Sequence, residues 1–165
     1  MISPRTRTFL QTLGLGALAG MRSMAAPALL SDHLARQPAP PNEDKLIRRM
    51  SSPRTSALLK WLAAGEMMGD KLPVTPDRTI LPFLLGRAGS GALVGATLFA
   101  ADGRRRGAGA LLGSVAAVAA AYGSLRLRRR AGQKLHVRDP LVGAAEDALV
   151  AGSGLGLLKL PGPGR

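Results

Sequence analysis

The sequence predicts an all-α, polytopic transmembrane helical bundle of four or five spans, and three observations carry that prediction. Long apolar segments recur along the 165 residues, basic residues cluster between them, and acids and arginines lie inside several of them. Charge within an apolar segment is costly in lipid. It is therefore turned towards a partner or a water-filled interior.

Composition agrees with one small membrane domain. The aromatics are only Phe9, Trp61, Phe83, Phe99 and Tyr122, whereas Ala, Gly and Leu dominate. Small residues let helix backbones approach closely, the packing device that replaces the hydrophobic effect in lipid. The net charge of +13 is spread over the connections, as in Arg104-Arg105-Arg106 and the run from Arg126 to Arg138. That pattern fits loops meeting anionic headgroups. A nucleic-acid face, with aromatics to stack bases, is not present. Without cysteine there is neither a disulfide framework nor a thiolate metal site.

In chain order, a basic tail (1–8) precedes segment one, 9–30, which is long enough to cross about 30 Å of hydrocarbon at 1.5 Å per residue. A secretory signal is the alternative there, with Ser23-Met24-Ala25 as its small-x-small site. Gln11 and Arg22 speak against cleavage. The proline-rich stretch 37–42 reads as an extended linker, and Glu43 to Met50 as a short amphipathic turn. Segment two, 56–72, ends at Pro73 and Pro76; segment three, 79–101, carries Arg87. Segment four, 107–125, is free of charge and bounded by arginines. Segment five, 140–160, starts with Pro140 behind an Asp139 cap. The tail 161–165 reads as disordered.

Each segment contains a Gly-x-x-x-Gly pair: Gly16/Gly20, Gly65/Gly69, Gly91/Gly95, Gly109/Gly113 and Gly152/Gly156. One pair per segment predicts close helix contacts throughout. Gly20-Met21-Arg22-Ser23 also resembles Gly86-Arg87-Ala88-Gly89, a hint of duplicated halves of the kind transporters use.

Segment two holds the most distinctive stretch, Gly65-Glu66-Met67-Met68-Gly69-Asp70-Lys71-Leu72-Pro73. On a helix Glu66 and Asp70 stack on one face. A carboxylate at mid-membrane costs about 2.5–3.5 kcal/mol, against about 0.3–0.6 returned by each Leu. This segment needs a polar bundle interior, or it is re-entrant. The candidate intramembrane charge network is Arg22, Glu66, Asp70, Lys71, Arg87, Glu146 and Asp147.

Ala19-Gly20-Met21-Arg22, Glu66-x-x-x-Asp70-Lys71-Leu72-Pro73, Gly86-Arg87-Ala88-Gly89-Ser90-Gly91-Ala92 and Ala145-Glu146-Asp147 together resemble one family. It is the bacterial family of small membrane proteins filed as domain of unknown function 4126. The resemblance runs from about Leu13 to Gly156. It implies an integral membrane protein of several helices and brings no activity, substrate or cofactor.

Two functions compete for the charges. Arg22 and Arg87 can pair with the acids and fix the bundle's arrangement, with desolvation offsetting most of the attraction. Alternatively, spare carboxylates among four acids serve a transporter- or channel-like route for a small solute or ion. An intramembrane enzyme comes third, since no His-x-x-x-His, Gly-x-Ser-x-Gly or phosphate loop is present. His33 and His136 lie in polar loops, and Ser90 is a packing residue. No cofactor or metal is expected. The expected partners are the lipid bilayer, with anionic headgroups at the basic loops, and further copies of the chain. The expected location is the bacterial inner membrane, multi-pass. Five crossings would place ten basic residues on each side, so the positive-inside rule leaves orientation open.

Overall fold

A computed structural model describes residues 3–37, 44–69, 81–135 and 152–159. Among these residues all regular structure is helical: α1 (Pro4–Met21), α2 (Ala25–Ala35), α3 (Lys45–Met50), α4 (Pro53–Gly69), α5 (Leu81–Ala101) and α6 (Arg106–Leu135). A seventh helix, α7, covers 152–158. Two stretches, Leu81–Ala101 and Arg106–Leu127, are long and apolar enough to cross a membrane.

α5 and α6 form an antiparallel hairpin. Gly103, at φ +68°, closes α5 in the left-handed conformation that a side chain would disfavour. The Arg104 N–H then reaches back to the Phe99 carbonyl at 2.7 Å, and the Gly103 N–H to that of Ala100 at 3.1 Å. This double return takes up carbonyls that the helix end leaves open. The Arg104 guanidinium covers the Phe99 ring at 4.5 Å. Along the hairpin, Gly91 meets Gly113 and Gly95 meets Gly109. A Cβ on any of the four would overlap the facing backbone.

α1 runs parallel to α6. Gly16 lies against Gly113 and Ala116, and Gly20 against Ala117 and Ala120. Ser3 caps α1 by accepting the Thr6 N–H at 3.1 Å, with Pro4 in the first turn. Ser3 and Arg5 share a cleft with Asp102 and Arg104, so α1 begins at the α5–α6 turn.

Segment one, expected as a single helix over 9–30, is two helices interrupted at 22–24. Pro27 gives the physical reason, since its ring excludes a regular helical carbonyl four residues earlier, at Ser23. After the break the chain folds back. Leu18 of α1 and Leu29 of α2 both lie beside the Cβ position of Gly154, at 3.2 and 2.5 Å. Were α1 and α2 one straight helix, those leucines would be about 16 Å apart along its axis. α2 thus returns towards the α5–α6 turn. Ser31 donates to the Met50 carbonyl at 2.6 Å, and Arg106 pairs with Asp44, the cap of α3, at 2.5 Å.

α4 starts beside α3 and runs antiparallel to α2, with Lys60 paired to Asp32 and Glu66 reaching Ser23 and Met24. α7 lies antiparallel to α1. Leu157 sits against Gly14, and its carbonyl accepts from Gln11 Nε2 at 2.9 Å. Of segment five, the stretch before residue 152 lies outside the described residues. Segment four is longer than expected, because α6 continues beyond 125 to Leu135.

Beside an apolar core of Leu15, Leu30, Ile47 and Val94, polar groups also lie inside and apolar bulk outside. Thr8, Gln11, Thr12, Arg22, Ser31, Ser56, Arg87, Ser90 and Thr97 are buried, while Leu58, Trp61, Met68, Leu81, Leu85, Leu111 and Val115 are more than half exposed. Thr12 and Thr97 satisfy their hydroxyls on carbonyls one turn back in their own helices, at 2.8 and 2.7 Å. Buried polar groups and exposed apolar bulk are the informative departures from a water-soluble pattern.

Candidate functional site

The interruption between α1 and α2 leaves two helix ends inside the protein. An α-helix ends in unpaired carbonyls and begins with unpaired N–H groups, carrying partial negative and positive charge respectively. Buried and unmet, each such group costs about 1–3 kcal/mol. The Arg22 N–H bonds the Leu18 carbonyl at 2.8 Å and closes the last turn of α1. Met24, which begins α2, offers no side-chain cap.

Charges from two other helices fill these gaps. Arg87 of α5, only 5% exposed, donates from Nη1 to the carbonyls of Gly20 and Met21, the latter at 3.0 Å. Glu66 of α4 accepts the Ser23 N–H on Oε1 and the Met24 N–H on Oε2, both at 2.8 Å. A cation thus sits at the negative end of α1 and an anion at the positive end of α2, the favourable sense in both places. Two bonds to a charged acceptor are worth about 1.5–3 kcal/mol each. The insertion cost of one carboxylate is of the same order. What Glu66 chiefly contributes is therefore geometry.

The break lies well inside the bundle. Gly20 is level with Ala117, close to the middle of Arg106–Leu127. Arg87 is four residues from the midpoint of α5, about 6 Å along its axis. Sequence-predicted residues Arg22, Glu66 and Arg87 meet here, from the end of α1, α4 and α5. Asp70, Lys71, Glu146 and Asp147 lie outside the described residues. The contacts described for Glu66 and Arg87 run to backbone, a partner that the sequence reading did not anticipate.

The glycine pairs divide. Gly16, Gly20, Gly91, Gly95, Gly109 and Gly113 stand where α1, α5 and α6 touch. Gly65, Gly152 and Gly156 do not: among the described residues nothing lies within 4 Å of a Cβ built on any of them, so the expected close contact is not found there. Gly65 faces outward from α4 because the inner side of that helix is the one carrying Glu66 to the break. The packing of Gly69 lies outside the described residues. Gly14 and Gly154, outside the repeated pairs, are tightly packed against leucines instead.

Towards the far end of α2, the Asp32 carboxylate accepts from Arg36 Nε at 2.9 Å and from Lys60. The hydrogen bond from Arg36, then that from Lys60, holds its pKa below the ordinary value of 3.8. Arg36 stands four residues after Asp32, a spacing the sequence shows, whereas Lys60, 28 residues away, leaves no local spacing to read. Among the described residues no three His, Asp or Glu side chains gather as a metal site. Comparison with protein-family models, curated proteins and solved structures returns no match for this chain.

Proposed function

We propose that this chain is a multi-pass protein of the bacterial inner membrane, with four or five spans, acting as a transporter- or channel-like bundle for a small solute or ion. It stands, on this reading, with the small membrane proteins that its motifs resemble. The observation that supports the proposal is the interrupted α1–α2 pair, with its broken ends half-buried at the level of Arg87 and capped by Arg87 and Glu66. Non-helical backbone at membrane depth is tolerated where protein or a cavity surrounds it, and discontinuous helices of this kind flank transport sites. The Glu66 cap can be exchanged for another anion at the same two N–H groups.

We infer an orientation on the same architecture. Arg5, Arg7, Arg36, the basic residues from Lys45 to Arg54, and Arg104–Arg106 gather at the end of the bundle where α1 starts and α5 turns into α6. By the positive-inside rule that end faces the cytoplasm. With Arg5 and Arg7 at this end, the even balance of the five-crossing count tips towards it, against the run from Arg126 to Arg130 at the far end of α6.

A structural membrane component without transport is the second reading. It is favoured by Glu66 and Arg87 both being engaged with backbone rather than with an open cavity. Flux into proteoliposomes, read with a pH-sensitive dye, separates the two. Under the transport reading Glu66→Gln loses the flux while the protein still accumulates in the membrane. Under the structural reading the variant fails to assemble and wild type carries no flux.

A further inference from the structure

We propose that the groove between α2 and α4 holds a zwitterionic phospholipid, its phosphate and ammonium meeting Lys60 and Asp32 and its acyl chain running down the outer face of α4. The inference rests on the membrane reading above. The groove encloses about 520 Å³ and is lined by Asp32, Ser56, Lys60 and Trp61, with Ala57 and Ala64 leaving room between the helices. That volume lies in the range of small-molecule sites.

Three features specify the occupant. Ser56 is 4% exposed, and its hydroxyl has no hydrogen-bond partner among the described residues. A buried hydroxyl left so is rare, and a ligand oxygen in the groove would satisfy it. A phosphate oxygen accepts from it and from Lys60, whose ammonium has donors beyond the one given to Asp32. The same groove presents a carboxylate. Asp32, which already takes Arg36 on one oxygen and Lys60 on the other, keeps lone pairs that accept from an ammonium, and that ammonium also finds the exposed face of Trp61. Both signs of charge within one groove therefore select a zwitterion.

The third feature selects a lipid over a soluble molecule. The outer face of α4 is apolar and uncovered on both sides of Lys60: Leu58 before it is 60% exposed, and Trp61 and Met68 after it are 78% and 73% exposed. These residues and Leu62 recur at helical spacing, and Gly65 between them has open space at its Cβ position. An acyl chain laid along this face descends from the charged groove towards the level of Glu66. Trp61 stands where tryptophan anchors at a headgroup boundary.

Trp61 is the chain's sole tryptophan, so its fluorescence reads the groove directly. The full chain is reconstituted in bilayers containing equal mole fractions of phosphatidylethanolamine and phosphatidylglycerol, with brominated chains on one or the other. The expected result is quenching by the brominated ethanolamine lipid with about fivefold preference. The preference falls to unity in the Asp32→Asn/Lys60→Gln double variant and is reduced in Ser56→Ala. Circular dichroism confirms that both variants keep their helices. Equal quenching by the two lipids in wild type, or a preference that survives the double substitution, overturns the proposal. Loss of the preference on adding soluble glycerophosphoethanolamine overturns the lipid as occupant. No quenching by any brominated lipid would instead refute the membrane reading, with the inference falling alongside it.

Discussion

Glu66 and Arg87 hold opposite sides of one chain break. The carboxylate takes the N–H groups of Ser23 and Met24 at 2.8 Å, and the guanidinium gives its hydrogens to the carbonyls of Gly20 and Met21. The two residues come from different helices and act on different helix ends. Each compensates a partial charge that a continuous helix would never have exposed.

Replacing the carboxylate tests this directly. In Glu66→Gln the amide oxygen accepts one N–H, and the amide nitrogen confronts the other. The expected cost is about 2 kcal/mol, measured as a lower unfolding midpoint in mixed detergent. Glu66→Asp retains charge but is one methylene shorter, and falls between wild type and Gln. Stability unchanged in both variants would mean that the break does not depend on its anion.

The glycines separate into two groups with opposite signs. Gly95→Ala and Gly109→Ala drive a methyl into the facing backbone of the α5–α6 hairpin, at an expected cost of about 1–3 kcal/mol. Gly65→Ala meets nothing within 4 Å and gains about 0.8–1.0 kcal/mol of helix propensity. Thermal unfolding of the three variants in one detergent gives the comparison. A destabilised Gly65→Ala would place an unseen neighbour on that face.

Orientation can be read chemically because the chain has no cysteine. Single cysteines at Ser52 and Arg105 stand at the basic end of the bundle, and one at Arg126 lies near the other end of the α6 span. In intact cells a membrane-impermeant maleimide is expected to label only the last. Labelling of Ser52→Cys or Arg105→Cys from outside would invert the assignment.

Acid should loosen the α2–α4 contact. Asp32 is held below 3.8 in the folded protein by Arg36 and Lys60, so its folded pKa lies under the unfolded one. Its stabilising contribution is present above the unfolded value and disappears as pH falls through the folded value. Between about pH 5 and pH 2, wild type therefore loses an increment of stability that Asp32→Asn lacks at every pH. Parallel pH profiles for the two proteins would show that the ion pairs contribute nothing.

Much of this was legible in the chain. The short helix before Met50 and the close helix contacts at Gly91, Gly95, Gly109 and Gly113 follow from local pattern, while the proline-rich interval 37–42 falls almost entirely outside the described residues. The break at 22–24 was not read, although Pro27 announces it, because apolarity over 9–30 suggested one continuous helix. The partners of Glu66 and Arg87 were illegible for a deeper reason. Backbone groups carry no residue identity, so a charge that caps a helix from 42 or 67 positions away looks in sequence like one awaiting another charge. Likewise Gly65 repeats the spacing of its packed counterparts, and only the tertiary arrangement turns it outward.

The separation between the interrupted helix and its two caps bears on how the protein is made. When the ribosome has finished α2, neither Glu66 nor Arg87 yet exists, and more than half the chain must be synthesised before both do. Until then the bare ends of the interruption lack both of their charged caps. On the membrane reading proposed above, the opening hairpin settles only once the late-arriving α5–α6 pair, zipped glycine to glycine through a four-residue turn, delivers its cation.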